Sequence, residues 1–174
     1  MARTANKSRT PRTARTARKA ATPRPVTTQL YIAYGSNLNV EQMGWRCPDA
    51  VPVGVTSLPD TRLVFRGVAD IEAAPGATVP VGLWRITPDC EDALDAYEGY
   101  RPGNRGMYRK EYLPVLIDGQ VEQALVYVMN YEGYRAPSLG YYQTIARGYR
   151  DFGIPLDALE EARELTEALR RLAA

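Results

Sequence analysis

Short apolar runs separated by Gly, Pro and Asp make up the chain from Leu30 onward, and this pattern predicts strands of ordinary length. The run "LYIAY" predicts a buried first strand that leads into "GSN". Asp118 and Gly119 suit a tight type I′ turn, so the runs on either side of them should form an antiparallel hairpin. The hairpin strands are "YRKEYLPVLI" and "VEQALVYVMN", and the other predicted strands are "TRLVFRGVADIEA" and "VPVGLWRIT", separated by a turn at "APGA".

Capping residues and helical spacing predict helices between and after these strands. The segment "TPDCEDALDAYEG" has Thr87 or Asp89 as its cap, acids in its first turn and Gly99 just past its end. "NVEQMGWRC" predicts a short helix capped by Asn37 or Asn39, and "YYQTIARGYRDFG" predicts one that Gly153 ends. In the last helix a stripe expected to face the core comprises Leu156, Leu159, Ala162, Leu165, Leu169 and Leu172.

Strands in the middle of the chain, with helices between and after them, indicate an α+β domain over residues 30–174. The pattern favours a strongly curved sheet or a small β-barrel, and periodicity alone does not distinguish the two. We take a small, mostly antiparallel β-barrel with flanking helices as the prediction.

Residues 1–29 differ in composition, because they carry eight basic side chains and no acidic one. With so little apolar surface, this segment is predicted to be a disordered basic tail. It suits non-specific contact with nucleic acid, an organelle transit peptide or a solvated tail. The rest of the chain has 14 basic and 20 acidic residues (22 − 8 against 20), so the body is mildly acidic.

The sequence contains no histidine, which excludes Ser/His/Asp and Cys/His catalysis and histidine-ligated zinc. Its two cysteines, Cys47 and Cys90, form no C-x-x-C pair and suit a reducing compartment. No apolar run is long enough to span a bilayer. The predicted location is therefore cytoplasmic, with no metal, no cofactor and no membrane contact.

Two short features suggest chemistry. In "YGSN", comprising Tyr34, Gly35, Ser36 and Asn37, a glycine and small polar side chains would leave backbone N–H groups to bind a carboxylate or an oxyanion. For these four residues alone, a plain strand-to-helix turn is the favoured interpretation. Glu98 lies at the end of a predicted helix, where the helix dipole disfavours an acid. In an apolar pocket its pKa would rise, and it could act as a general base at neutral pH.

Tyrosine is unusually frequent, with 12 tyrosines against two phenylalanines. Their hydroxyl groups either converge on a ligand or pair with buried carbonyls. The tyrosines placed at strand ends, inside a strand or at a helix start are Tyr34, Tyr108, Tyr127 and Tyr141.

These motifs occur together and in order, and in this the chain resembles the γ-glutamylcyclotransferase family, including its avirulence-induced relatives. The matching pieces span about residues 30–155: "YGSN", "VGLWRI", "LDAYEG", "YRKEYLPV", "ALVYVM" and "PSLGYYQTIARGYRDFGIP". The resemblance implies a compact α+β fold around a small barrel. It also implies that the loop and the glutamate face one cavity.

The reaction implied by the resemblance is an intramolecular aminolysis of a γ-glutamyl amide, which yields 5-oxoproline and releases an amine or an amino acid. Glu98 would be the acid/base, the loop from Tyr34 to Asn37 would hold the γ-glutamyl group, and Tyr108, Tyr127 and Tyr141 would lie near the pocket. The chemistry needs no cofactor. The alternatives are a non-catalytic ligand-binding module and a nucleic-acid-associated protein tethered by its basic tail.

Overall fold

Strand β1 lies at the centre of a five-stranded sheet in the computed structural model, which describes residues 27–117 and 119–173. Residues 1–26 of the tail predicted over residues 1–29 lie outside the described residues, as does the turn residue Asp118, whereas Gln29 belongs to the first strand. The strands are β1 (Gln29–Ala33), β2 (Val51–Phe65), β3 (Ala69–Ile86), β4 (Tyr108–Ile117) and β5 (Gln120–Met129). The helices are α1 (Val40–Arg46), α2 (Pro88–Glu98), α3 (Leu139–Asp151) and α4 (Asp157–Leu172), with a short 3-10 turn at Ser36–Leu38.

The predicted barrel is wrong, although the α+β class is confirmed. The strand order is β2-β3-β1-β5-β4, and over residues 27–117 and 119–173 no ladder joins the edge strands β2 and β4. Closure requires matched tilt and stagger around the whole sheet. Here two antiparallel hairpins meet at β1, which pairs with β5 in parallel through Leu30 and Tyr31 only. The sheet is therefore mixed and open.

The predicted turn at "APGA" is also wrong. The chain reverses at residues 66–68, where Gly67 has a φ of 89°, and β3 then runs through residues 74–77. Pro59 pairs with Thr78 and Thr61 pairs with Ala73, so these four residues bulge out of the ladder opposite Asp60. The Asp60 Oδ1 accepts the Gly76 N–H at 2.8 Å. A glycine and a proline thus mark a bulge instead of a hairpin end.

The predicted caps of the two short helices are confirmed. Thr87 accepts the Cys90 N–H at 3.2 Å to begin α2, and Gly99 ends it with a φ of 63°. Asn39 accepts the Gln42 N–H at 2.9 Å and begins α1. The two helices also touch, since the Cys47 thiol donates to the Cys90 carbonyl at 3.5 Å.

The leucine stripe of α4 faces the core only in part. Leu159 and Ala162 are buried, whereas Leu172 is 85% exposed because the helix continues past the sheet. Thr166, which is not part of the predicted stripe, is fully buried between α4 and β2. Its hydroxyl donates to the Ala162 carbonyl and accepts the Phe65 N–H at 2.9 Å. None of the helices within residues 27–117 and 119–173 combines the length and the hydropathy needed to cross a membrane.

Candidate active site

The loop that follows β1 is built from a strand end, a 3-10 turn and a helix cap in immediate succession. Leu38 N–H bonds to the Gly35 carbonyl at 3.0 Å, and Asn39 N–H bonds to the Ser36 carbonyl at 3.0 Å. The first N–H groups of a helical turn have no acceptor within that turn, and here they belong to Ser36 and Asn37. That these two N–H groups bind a ligand stays a prediction.

Gly35 is required for a reason other than the one expected from the sequence. Its φ is −114°, so it does not use the left-handed region. A Cβ at this position would lie 3.2 Å from the Ala69 Cβ and 3.3 Å from the Tyr141 hydroxyl. Close approach between the loop and its neighbours therefore favours a glycine at this position.

Helix α3 supports the loop from behind. A Cβ at Gly148 would lie 2.5 Å from the Leu38 carbonyl carbon and 2.6 Å from the Asn39 nitrogen. The helix and the loop backbone are therefore in direct contact, with Leu38 fully buried between them. This contact sets how closely the loop backbone approaches α3.

Glu98 is the last residue of α2 and is partly buried. Its Oε1 accepts the Asn37 side-chain N–H at 2.8 Å. Burial raises the pKa of Glu98 to about 7, against the lowering effects of the Asn37 hydrogen bond and the Arg46 charge. The carboxyl group can thus both accept and return a proton near neutral pH.

Asn37 connects the loop to the groups around it. Its Nδ2 donates to the Tyr31 hydroxyl at 2.7 Å as well as to Glu98, and its Oδ1 accepts from the Arg46 guanidinium. Arg46 also lies over the Tyr97 ring, 3.4 Å from its centroid. Because all these partners are fixed, the amide holds the carboxylate in one orientation.

A cavity of about 230 Å³ lies between the loop and the end of α2. Glu98 is the one acidic side chain among the residues that line it. All eight site residues predicted from the sequence are brought together there, and their roles stay predictions. The lining comprises Tyr31, Tyr34, Gly35, Ser36, Asn37, Val68, Ala69, Tyr97, Glu98, Met107, Tyr108, Tyr127 and Tyr141.

The four predicted tyrosines differ in what their hydroxyls do. Tyr34 donates to the Tyr127 carbonyl at 2.6 Å, and Tyr127 donates to Asp95 Oδ1 at 2.6 Å. The contact from Tyr108 to the Ala69 carbonyl is longer, at 3.4 Å. Tyr141 accepts the Ala69 N–H at 3.2 Å, which leaves its own hydrogen to donate.

Burial keeps these hydroxyl groups protonated. It raises the pKa of Tyr141 to about 12, and it raises the pKa of Tyr34, Tyr108 and Tyr127 as well. At neutral pH the tyrosines are therefore neutral hydrogen-bonding groups, and Glu98 is the lining group whose pKa lies near 7.

Sequence reasoning missed Tyr31, Arg46 and Tyr97, which surround Asn37. It also missed Asp95, which accepts from Tyr127 and from Lys110 Nζ at 2.8 Å. Adjacency to Glu98 could have indicated Tyr97. The others are joined to the site only by folding, so their spacing along the chain carries no signal.

The fold and the cavity together define an α+β protein with one small, tyrosine-lined cavity beside the first strand. One carboxyl group, with a pKa of about 7, lies in that cavity beside the loop from Tyr34 to Asn37. Within residues 27–117 and 119–173, His, Cys, Asp and Glu form no cluster of three able to hold a metal ion.

Comparison with known proteins identifies the family. Residues 31–144 match the family described as Gamma-glutamyl cyclotransferase, AIG2-like. A Bos taurus protein named Gamma-glutamylcyclotransferase is 32% identical over 146 residues, 74% of this chain and 73% of that protein. Its Homo sapiens namesake is 31% identical over 150 residues, 78% of each chain. This chain belongs to the γ-glutamylcyclotransferase, AIG2-like family, and the resemblance seen in its motifs is confirmed.

Solved structures agree with this assignment. A structure named Gamma-glutamyl cyclotransferase has a TM-score of 0.67 at 28% identity, covering 82% of this chain and 88% of its own. An uncharacterised Homo sapiens protein gives a TM-score of 0.66 at 29% identity, with the same coverage of 82% and 88%.

Proposed function

We propose that this protein converts a γ-glutamyl amide to 5-oxoproline and releases the attached amine or amino acid, with Glu98 as general acid and base. The observation that carries the proposal is the Glu98 carboxyl group, whose pKa is about 7 and which bonds to Asn37 of the loop within one cavity. The names of the relatives, which match most of this chain at 31–32% identity, support the same reaction.

In the proposed mechanism, the Glu98 carboxylate accepts a proton from the substrate α-ammonium group. The free amine attacks the γ-carbonyl carbon of the same molecule, which forms the ring C–N bond and places negative charge on the carbonyl oxygen. Protonated Glu98 then donates its proton to the leaving nitrogen, the original C–N bond breaks, and the oxyanion re-forms the carbonyl group. The regenerated carboxylate accepts the second proton from the ring nitrogen and passes it to the departing amine, which leaves as an ammonium ion, so proton and charge balance over the cycle.

The loop and the tyrosines would supply the rest of the catalysis. Attack within one molecule is unimolecular, so holding the substrate in its folded conformation contributes much of the rate. Backbone N–H groups of Ser36 and Asn37 would stabilise the oxyanion, although their direction into the cavity stays a prediction. The hydroxyls of Tyr141 and Tyr31 each accept one N–H, from Ala69 and from Asn37, and both line the cavity, so either would have a hydrogen to donate to substrate.

An assay with a panel of γ-glutamyl amino acids, γ-glutamyl amines and glutathione tests the proposal. We expect 5-oxoproline from at least one class, detected by mass spectrometry at high enzyme concentration. Absence of product from every class would overturn the proposed activity. Ligand binding without product would instead identify a non-catalytic binding module.

The charge of Arg46 sets the pH at which the enzyme becomes active. Its positive charge lowers the pKa of Glu98, so replacing it with a neutral side chain should raise that pKa further. Because the base form of Glu98 starts the reaction, the rise of kcat with pH should move to higher pH in Arg46→Gln. The measurement is a pH profile of kcat for both proteins.

Arg46→Lys is the matched variant, because it keeps the charge. Its profile should stay close to that of the wild type even if kcat itself falls through loss of the bond to Asn37. A profile in Arg46→Gln that does not move, or that moves to lower pH, would contradict this role of Arg46.

A further inference from the structure

The basic tail, residues 1–29, has no part in the proposed function. The family match begins at residue 31, so the tail lies outside the matched region. The tail carries eight basic side chains and no acidic residue, aromatic residue, leucine or isoleucine. Such a composition needs an explanation of its own. The basic residues are Arg3, Lys7, Arg9, Arg12, Arg15, Arg18, Lys19 and Arg24.

The tail is attached at the end of β1 that lies away from the candidate active site. Strand β1 begins at Gln29 and ends at Ala33, and the loop that lines the cavity follows it. At about 3.3 Å per residue, Gln29 and Tyr34 are about 16 Å apart. The Gln29 side chain donates to Glu91 of α2, which holds the start of the strand in place. A partner bound to the tail is therefore attached at the opposite end of the strand from the cavity.

The folded body is acidic and offers little positive surface of its own. Residues 30–174 carry 20 acidic side chains against 14 basic ones (22 − 8). A polyanion is therefore repelled by the body and attracted by the tail. Within residues 27–117 and 119–173, ion pairs with acids of the body engage Arg62, Arg66, Arg85, Arg109, Lys110 and Arg170.

Arginine recurs at every third residue in the middle of the tail, at Arg9, Arg12, Arg15 and Arg18. Three residues of chain span at most about 10 Å. Duplex DNA presents one phosphate charge per roughly 1.7 Å of its axis, so each guanidinium can reach a phosphate of its own. A guanidinium also bonds to phosphate through paired N–H donors, which an ammonium group does not offer.

The composition of the tail favours nucleic acid over a membrane or the acids of the body. The tail has no aromatic residue, leucine or isoleucine to insert below lipid headgroups. Asp89 and Asp92 of α2 are exposed and flank Glu91 near the start of β1, but exposed ion pairs contribute little. Contact with a nucleic acid instead releases the counterions condensed on many phosphates at once.

We propose that the basic tail binds nucleic acid through its phosphate backbone, without reading sequence, and tethers the folded body to it. The recognised feature is a line of phosphate charges, which DNA and RNA share. The inference is independent of the proposed function, because it uses none of the residues that line the cavity.

Fluorescence anisotropy with the full chain tests the tether. The probes are two DNA duplexes of unrelated sequence and one single-stranded RNA, each titrated between about 50 and 200 mM salt. The two duplexes should give equal Kd. If all eight basic side chains engage, log K should fall with log[salt] with a slope of about −7 for the duplexes and about −6 for the RNA. Unequal Kd for the duplexes, or binding to only one kind of nucleic acid, would overturn the proposal.

Two full-chain variants separate the tail from net charge. The tail variant combines Arg9→Gln, Arg12→Gln, Arg15→Gln and Arg18→Gln. The matched control removes four exposed arginines of the body and combines Arg101→Gln, Arg105→Gln, Arg147→Gln and Arg150→Gln. The tail variant should raise Kd by more than about tenfold at about 50 mM salt and halve the slope, whereas the control should change Kd far less. A control that weakens binding as much as the tail variant does would show an effect of net charge and contradict the tether.

Vesicles and thermal unfolding test the two other partners. Vesicles of phosphatidylserine and phosphatidylcholine, compared at equal concentration of negative charge, should bind more weakly than the duplexes, and tighter binding would make a membrane the partner. The tail variant should unfold at the same temperature as the unmodified chain. A lower Tm in that variant, together with no binding of the unmodified chain to nucleic acid at about 50 mM salt, would mean that the tail docks on the body's own acids and would rule the proposal out.

Discussion

Glu98→Gln is expected to lower turnover by about 10²–10⁴-fold, the range typical for removal of a general acid or base. The glutamine keeps the shape of the side chain and an oxygen that can accept from Asn37. It cannot take up the ammonium proton or return it to the leaving nitrogen. The measurement is the rate of 5-oxoproline formation at pH 8, where the wild-type carboxyl group, with its pKa of about 7, is mostly ionised.

The same substitution should make the protein more stable at pH 8. Because burial raises the pKa of Glu98 from 4.5 to about 7, the folded state disfavours the carboxylate that the unfolded state carries freely. The free energy of unfolding of the wild type therefore falls as the pH rises from about 4.5 to 7. At pH 8 the free energy of unfolding of Glu98→Gln should exceed that of the wild type by up to about 3 kcal/mol. Urea unfolding at pH 8 and at pH 4 measures it, and at pH 4 the gain should be absent.

Asp92→Asn provides the control, because Asp92 is an exposed acid on the same helix. It should leave both turnover and stability close to those of the wild type. Undiminished turnover in Glu98→Gln would remove Glu98 from the mechanism. A loss of turnover together with a loss of stability at pH 8 would mean that the variant is merely misfolded.

Gly148→Ala is expected to destabilise the protein and to inactivate it, although alanine is ordinarily the better helix former by about 1 kcal/mol. The new Cβ would lie 2.5 Å from the Leu38 carbonyl carbon and 2.6 Å from the Asn39 nitrogen. These are backbone atoms, so the clash cannot be relieved by a change of side-chain rotamer. Overpacking of this kind costs about 1–3 kcal/mol, and displacing a catalytic loop by about 1 Å can cost 10²-fold in rate.

Gly140→Ala is the matched control in the same helix, because nothing lies within 4 Å of a Cβ at that position. Its stability should be equal to or slightly above that of the wild type, and its activity should be unchanged. Thermal unfolding and kcat/KM measure both variants. If Gly148→Ala behaves like Gly140→Ala, α3 does not set the position of the loop.

The parts of the structure that the sequence predicts best are those with local causes. The span of α2 follows from Thr87 at one end and Gly99 at the other, since both act within one turn of the helix. Strands β4 and β5 follow from their apolar runs. Glu98 could be singled out because an acid at the end of a helix needs an explanation.

The parts that could not be predicted depend on contacts between distant segments. Whether the sheet closes depends on whether its edge strands β2 and β4 pair, and these strands are distant in the sequence. "APGA" and "RGV" both contain a glycine with positive φ, and only the register of β2 against β3 distinguishes the bulge from the turn. Arg46 meets Asn37 only in the folded chain, so its contact could not be assigned from its neighbours in sequence.

The central position of β1 has a consequence for motion. Tyr31 is paired on both sides, with Trp84 of β3 and with Leu125 of β5, and it is 3% exposed. The amides of β1 should therefore exchange with solvent deuterium only when the whole sheet opens, whereas the amides of the edge strands β2 and β4 exchange through local fraying. Because the candidate loop begins three residues after Tyr31, it is attached to the part of the chain that should exchange most slowly. Partial openings at the periphery, such as release of α4, would leave that attachment intact.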